Sequence, residues 1–213
     1  AGRYGLVSLV HCENDALVSA QTQALIDAGE TSWRFHGAAR PALAEQEATA
    51  RVLFLASAVD APVVIAHNST ARTTAMVAEA RQRGQAAYCE TGPQYLLLDQ
   101  SLYEGTEPWR YILQPPLRAA EEQERLWDLV SDGQVDMLIT DHCDYTMAQK
   151  LAVNDFTKTP GGLPGLETLL PLMATYGVCE GRIEWPDLVR MLSANPARLY
   201  NLWPNKGSLL PGS

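Results

Sequence analysis

Three side chains that can bind a metal ion occur far apart in the sequence. His11, His67 and Asp141 each come directly after a short apolar segment, and they share no local motif. Two neutral imidazoles and a carboxylate suit Zn²⁺, Mn²⁺, Fe²⁺ and related divalent ions. Such an ion activates water, and a carboxylate beside it can take the proton from that water. The residue types therefore predict a metal site in which Asp141 handles the proton.

Other interpretations of these residues stay open. Each polar side chain could instead cap a loop or bond to the main chain, and Glu90 is a rival to Asp141 as proton acceptor. A catalytic triad of Ser69, His67 and Asp141 is disfavoured because the sequence contains no Gly-x-Ser-x-Gly elbow. A metal site explains more of the pattern, since His, His and Asp follow three of the four strands predicted below.

The elements that must position these side chains alternate between strand and helix. Strands are predicted at Leu6–Val10, Val63–Ala66, Gln85–Cys89 and Val135–Thr140, and helices at Asn14–Ala28, Glu45–Val59, Ala71–Arg83, Ala119–Ser131, Leu166–Tyr176 and Asp187–Ser193. This alternation predicts a parallel sheet covered by helices, with its chemistry at the carboxyl ends of the strands. Since a closed (β/α)₈ barrel needs eight strands, four strands form either an open sheet or part of a barrel.

Composition excludes several functional classes. The chain has 213 residues and a formal net charge of -9, with 16 basic residues against 25 acidic ones. Phosphate neutralisation needs clustered Lys and Arg, so we expect no nucleic-acid partner. No apolar run approaches the roughly 18 residues of a membrane span, so we expect no membrane partner. The first residues also lack the pattern of a secretory signal peptide.

The four cysteines are widely spaced and form no Cys-x-x-Cys pair. This usage predicts reduced thiols and a cytoplasmic location. Cys12 and Cys143 each neighbour a histidine, but a small buried residue beside the site is favoured over a thiol nucleophile. The glycine-rich segment Gly161–Gly165 lacks the Lys-Ser/Thr of a phosphate-binding loop. It is interpreted as a turn-rich loop whose main chain lines the substrate pocket.

Segments at these positions resemble the dihydropyrimidinase/hydantoinase branch of the amidohydrolase superfamily. They are Val10–Asn14, Ala66–Ser69, Glu90–Leu96, Pro115–Arg118, Thr140–His142 and Pro160–Glu167, followed in order by Asn195–Ala197 and Asn205–Ser208. Any one of these segments alone is a weak signal. Their number, order and spacing cover nearly the whole chain, and this makes the resemblance specific.

The resemblance implies a fold and a set of site residues. The family has a TIM-type (β/α)₈ metallo-hydrolase barrel, an attached β-sandwich and two divalent metal ions, usually Zn²⁺. It implies that His11 and His67 bind one ion, and that Asp141 binds the other and handles the proton. The loops at Gln114 and Gly161 are expected to contact the ring amide of the substrate, largely through main-chain atoms.

Departures from the family pattern are equally informative. The first-strand His-x-His pair, the fourth-strand lysine that is carbamylated to bridge both metals, and a substrate-contacting tyrosine have no counterpart here. Gln114 stands where the family usually has a small residue such as Ser, and Gly161 where it often has Asn. We therefore predict that residues 1–203 are strands five to eight of the barrel, its C-terminal half. Residues 204–213 then begin the connection to a β-sandwich that is missing, like the N-terminal half.

The implied activity is metal-dependent opening of the cyclic amide in dihydropyrimidines or hydantoins, yielding N-carbamoyl amino acids. Alternatives are an allantoinase, a dihydroorotase-like cyclic amidase, or a non-catalytic dihydropyrimidinase-related assembly protein. A further alternative is that this chain by itself binds little metal and is inactive. The resemblance also implies a homo-oligomer, commonly a tetramer.

Overall fold

A four-stranded parallel sheet organises the structure, a computed structural model that describes residues 2–213. The strands are β1 Ser8–Val10, β2 Val63–Ile65, β3 Ala87–Thr91 and β4 Met137–Leu138. They lie in the order β1-β2-β3-β4, and each pairs in parallel with the next. Because parallel neighbours cannot be joined by tight hairpins, helical crossovers separate them along the chain. This confirms the predicted parallel α/β arrangement.

Helices occupy most of the connections. They are α1 Asp15–Asp27, α2 His36–Ala39, α3 Ala42–Ala58, α4 Ala71–Gln82, α5 Pro93–Leu97, α6 Ala120–Ser131, α7 Met147–Leu151, α8 Leu169–Leu172, α9 Trp185–Val189 and α10 Asn195–Leu199. Side-chain caps fix the starts of α1, α4 and α7: Asn14 accepts from the Leu17 amide, Thr70 from the Thr73 amide, and Thr146 from the Gln149 amide. Across residues 2–213 there is no helix long and apolar enough to cross a membrane.

The core consists of two apolar clusters, and both include residues of the sheet. Strand β2 is completely buried, as expected for a parallel strand covered on both faces. One cluster packs this strand and its neighbours against α3 and α4. The second surrounds Trp127 of α6 and includes Leu96, Met173 and Met191. The strands are therefore held in fixed register, and so are the loops that leave their carboxyl ends.

Several predicted boundaries are wrong in ways that matter for the site. Strand β3 starts two residues later than predicted and runs on to Thr91, so Glu90 lies inside the strand, opposite Met137 of β4. Strand β4 itself has only two residues. Segments 90–118 and 141–164, where no strand or helix is predicted, contain the short helices α5 and α7. Five-residue helices are too short to show a helical period in the sequence.

Candidate metal centre

Strands β1 and β2 deliver two histidines to the same point. Val10 and Ile65 are paired in register at the ends of these strands, so the loops after them leave the sheet side by side. His11 follows directly on β1, and His67 lies two residues beyond β2. Nδ1 of His11 is 3.0 Å from Nε2 of His67, and the rings meet edge to face at 69°. The structure thus brings two of the predicted ligands into contact.

His67 is held in an environment suited to a neutral imidazole. The residue is only 9% exposed. Burial, followed by the adjacent His11 ring, lowers the pKa of His67. A metal ligand must be the neutral form, so this shift favours ligation. The backbone of His67 has a φ of 35°, a left-handed conformation that is strained for a histidine and is often found at functional sites.

Asp141 lies on the same rim but outside the histidine pair. It follows β4, is half-buried and also has a left-handed backbone, with φ of 48°. Its charge raises the pKa of His67 and of Glu90, so the carboxylate lies near enough to both groups to act on them electrostatically. Within residues 2–213, no three His, Cys, Asp or Glu side chains are grouped closely enough to hold a metal ion. Asp141 therefore does not complete a three-ligand cluster with His11 and His67.

Glu90 is a buried strand residue, and its predicted place in a loop was wrong. It is 7% exposed, and its main-chain carbonyl accepts a 2.7 Å hydrogen bond from the Asn68 amide. The pKa of Glu90 is raised to about 7, chiefly by burial; a hydrogen bond from the main chain of His67 opposes this rise, and the charge of Asp141 adds to it. Glu90 thus supports the loop that carries His67 from the neighbouring strand.

The two predicted substrate-binding positions are adjacent. A Cβ added to Gly161 would lie 2.6 Å from Cδ of Gln114, so the side chain of Gln114 occupies the space beside the glycine. The next amide along, that of Gly162, donates a 2.9 Å hydrogen bond to the carbonyl of Ile112. The Cys143 amide donates to the carbonyl of Leu163. These bonds tie both loops to the segment that follows Asp141.

A buried carboxylate supports the outer side of His11. Oε2 of Glu13 lies 3.0 Å from Nε2 of His11, and it also accepts a hydrogen bond from Nη1 of Arg40. The Glu13 side chain is 3% exposed, although the His11 side chain is 44% exposed. Sequence reasoning missed this contact. Glu13 lies in the segment after β1 that resembles the family, but residue type alone gave it no role.

A second buried ion pair lies behind His67. The carboxylate of Glu45, on α3, accepts hydrogen bonds from the amide and hydroxyl of Ser69 and from Nη2 of Arg118. Arg118 also donates to the Ser69 hydroxyl at 2.9 Å and to the carbonyl of Arg40 at 2.6 Å. The loop after β2 is therefore fixed by a helix and by a distant loop. Sequence reasoning missed this network as well, since its partners are far apart in the chain.

The histidine pair fits two ligands of one metal ion. Zn–N bonds measure about 2.0–2.1 Å, so ring nitrogens 3.0 Å apart are close enough to bind the same ion. Nδ1 of His11 and Nε2 of His67 point at one another, as two donors directed at a shared ligand would. Two imidazoles supply only part of a coordination shell, and other groups must complete it.

Comparison with known proteins shows the family. The sequence profile of the Amidohydrolase family matches residues 1–213. The chain is 44% identical to a D-phenylhydantoinase of Escherichia coli over 212 residues, which are 98% of this chain and 46% of that protein. The chain belongs to the amidohydrolase family, whose members are generally metal-dependent. It spans about half the length of the curated relatives it matches.

Solved structures agree with the sequence match. The fold superposes on a dihydropyrimidinase from Brevibacillus agri NCHU1002 with a TM-score of 0.95 at 33% identity. It superposes on an L-hydantoinase (dihydropyrimidinase) from Arthrobacter aurescens with a TM-score of 0.92 at 33% identity. Each alignment covers 98% of this chain and 46% of the other. The resemblance to dihydropyrimidinases and hydantoinases indicated by the motifs is confirmed.

Proposed function

We propose that the protein containing this chain is a metal-dependent hydrolase that opens the cyclic amide of hydantoins or dihydropyrimidines. The observation that carries the proposal is the 3.0 Å approach of the His11 and His67 ring nitrogens at the ends of adjacent parallel strands. Family membership and similarity to a D-phenylhydantoinase support a cyclic amide as substrate. The product of ring opening is an N-carbamoyl amino acid.

The proposal assigns this chain to one half of the catalytic barrel. We assign its four parallel strands to strands five to eight, with residues 1–203 forming that half and residues 204–213 leading towards a β-sandwich. The match covers 46% of the length of each relative, which supports this division. In this proposal, His11 and His67 hold one of two divalent ions, which we assign as Zn²⁺, and Asp141 contributes to the other. Remaining ligands, including a carbamylated lysine, come from outside these residues.

The side chains of this chain have separate tasks in the proposed reaction. A bound metal would lower the pKa of its water to about 7 and polarise the ring carbonyl. Asp141 accepts the proton from the attacking water and delivers it to the ring nitrogen as the C–N bond breaks. The loops at Gln114 and Gly161 bind the ring amide and orient its carbonyl. Glu90 holds the main chain of His67 in place.

The proposed protein is a cytoplasmic homo-oligomer that needs no nucleic-acid or membrane partner. All four cysteines are free thiols, which fits a reducing compartment. The net charge of -9 gives no basic surface for phosphate. Large apolar side chains such as Leu170, Trp185 and Val189 are more than half exposed, which fits contact with further protein.

A substrate panel tests the proposal. The complete protein is assayed for ring opening of hydantoin, dihydrouracil, allantoin and dihydroorotate, before and after removal of metal with a chelator and its restoration with Zn²⁺. We expect turnover of hydantoin or dihydrouracil that is lost with the metal and restored with it. A His67→Ala variant serves as the inactive control. Selective turnover of allantoin or dihydroorotate would reassign the substrate, and inactive, metal-free protein would defeat the enzyme hypothesis.

A further inference from the structure

The carboxylate of Glu13 joins a predicted metal ligand to a buried ion pair. Its Oε2 atom lies 3.0 Å from Nε2 of His11 and accepts a hydrogen bond from Nη1 of Arg40. Glu13 has 3% of its side chain exposed and Arg40 has 23%. The carboxylate is therefore fixed, whereas the His11 ring, with 44% of its side chain exposed, depends on its partners for orientation.

The chemistry of this contact decides which nitrogen of His11 carries hydrogen. An ionised carboxylate only accepts hydrogen bonds, so its partner Nε2 must be the N–H of the ring. In a neutral imidazole the other nitrogen, Nδ1, then keeps its lone pair. That nitrogen is the one that lies 3.0 Å from Nε2 of His67. Without an acceptor at Nε2, either tautomer is available to the ring.

We infer that Glu13 is a positioning residue that holds His11 in the tautomer whose Nδ1 lone pair is directed at the space shared with His67. The inference rests on the proposed function in one respect, namely that this lone pair binds a metal ion. Metal-ligating histidines commonly donate their second N–H to a carboxylate, and loss of that partner costs about 10–100-fold in metal affinity. If Glu13 only balanced the charge of Arg40, the oxygen atom that binds Arg40 would not need to contact His11 as well.

The surrounding hydrogen bonds hold the carboxylate of Glu13 in a fixed position. The main-chain carbonyl of Arg40 accepts a 2.6 Å hydrogen bond from Arg118, which also pairs with Glu45. The same Arg118 donates to the hydroxyl of Ser69, two residues beyond His67. One buried set of charges thus connects the support of His11 to the loop that carries His67. Rigid supports of this kind are what a metal site needs to hold its ligands in place.

The tautomer of His11 can be measured directly in the metal-free protein. Long-range ¹H–¹⁵N spectra of protein labelled at histidine distinguish a protonated ring nitrogen from one with a free lone pair. We expect Nε2 of wild-type His11 to be protonated and Nδ1 to be unprotonated. A His11 ring with its proton on Nδ1 overturns the inference without recourse to any variant.

Variants then test whether Glu13 is the cause. Glu13→Leu removes the acceptor, and we expect mixed tautomers at His11 and a 10–100-fold weaker Kd for Zn²⁺. Glu47→Leu is the matched control, because Glu47 binds Asn14 and Arg51 but touches no imidazole. It should leave both readouts unchanged. An unchanged tautomer and Zn²⁺ affinity in folded Glu13→Leu protein would overturn the inference.

Different results would refute the role of Glu13 and the proposed function. Wild-type protein that opens hydantoin while His11 carries its proton on Nδ1 would remove the role of Glu13 and leave the function standing. Wild-type protein with the expected tautomer, which binds Zn²⁺ but opens none of the four rings, would defeat the function. The role of Glu13 in directing His11 would then still be supported.

Discussion

At the scale of single residues, the candidate site combines strained and well-supported positions. His67 and Asp141 both adopt left-handed backbone conformations, which cost about 1–3 kcal/mol each for residues other than glycine. The buried carboxylate of Glu13 contacts the ring of His11, and that of Glu45 binds the amide of Ser69, two residues beyond His67. Strained backbone conformations held in place by rigid neighbouring groups are typical of residues whose side-chain orientation matters for chemistry.

Replacement of Asp141 should slow turnover strongly. Asp141→Asn keeps the size of the side chain but removes the group proposed to accept the proton from water. We expect kcat for ring opening to fall by about 10²–10⁴-fold, the usual contribution of a general base. Steady-state kinetics and zinc content, compared with an Asp144→Asn control at an exposed position, measure the effect. Full kcat in Asp141→Asn protein would exclude this role.

Gln114 and Gly161 should behave as a coupled pair. Since a Cβ at position 161 would lie 2.6 Å from Cδ of Gln114, Gly161→Ala must displace that side chain. We expect KM to rise about tenfold, with little change in kcat, because ring binding is weakened before and during the reaction. In a Gln114→Ser background the same substitution should have a much smaller effect. Equal effects in both backgrounds would show that the two positions are independent.

At the scale of elements, the site depends on how helices and loops are tied to the strand ends. Helix α3 contributes Glu45, whose side chain is 2% exposed and pairs with Arg118, which is 10% exposed. Helix α2 contributes His36, whose Nε2 lies 2.7 Å from the carbonyl of Leu113. These contacts fix the loop after β2 and the segment that leads to Gln114.

Loss of Glu45 should destabilise the fold. Glu45→Ala leaves the Arg118 guanidinium buried without its carboxylate, and breaking a buried pair in this way costs about 3–5 kcal/mol. We expect a corresponding drop in the free energy of unfolding, measured by urea denaturation. Glu79→Ala, which removes an exposed pair with Arg72, should cost less than about 1 kcal/mol. Similar losses in the two variants would contradict the assigned importance of the buried pair.

His36 should make the fold sensitive to acid. The pKa of His36 is lowered from 6.5 to about 4, chiefly by burial; the Leu113 carbonyl and Glu13 oppose this shift, while Arg40 and Lys150 add to it. The unfolded chain therefore binds a proton between pH 6.5 and pH 4 that the folded chain excludes. Stability from this residue is complete above pH 6.5 and is lost as the pH falls towards 4, by about 2 kcal/mol between pH 7 and pH 5.

Urea denaturation of wild-type and His36→Gln protein at these two pH values isolates the effect. The glutamine can still donate to the Leu113 carbonyl but cannot be protonated in this range. We expect the wild-type protein to lose about 2 kcal/mol more than the variant on going from pH 7 to pH 5. Parallel losses in the two proteins would rule out His36 as the titrating group.

The sequence predicted the order of strands and helices because apolar strands and helical crossovers alternate clearly. It placed His11, His67 and Asp141 at strand ends because each directly follows a predicted strand, although in the structure His67 is two residues beyond β2 and Asp141 three beyond β4. It misplaced β3 because Gln85–Cys89 contains few large apolar residues, so the pattern did not mark where the strand ends. It gave no sign of the Glu45–Arg118 pair, whose members are 73 residues apart, because local periodicity carries no information on such contacts.

At the scale of the whole molecule, the sheet is open in the part of the chain that the structure describes. Strands β1 and β4 are its two edges, and Leu9 of β1 is 56% exposed on a sheet whose next strand, β2, is fully buried. An unpaired edge with apolar exposure is normally covered by further protein. Together with a match to about half of each relative, this supports the proposal that further strands complete the barrel and its metal centre.

The most direct test of the central claim is anomalous X-ray diffraction at the zinc edge from crystals of the complete protein grown with Zn²⁺. We expect a strong anomalous peak within about 2.0–2.1 Å of both Nδ1 of His11 and Nε2 of His67. The peak should disappear in His67→Ala crystals grown in the same way. Wild-type crystals grown with Zn²⁺ that show no peak there, and in which a direct hydrogen bond joins the two rings, would exclude a metal ion at this site.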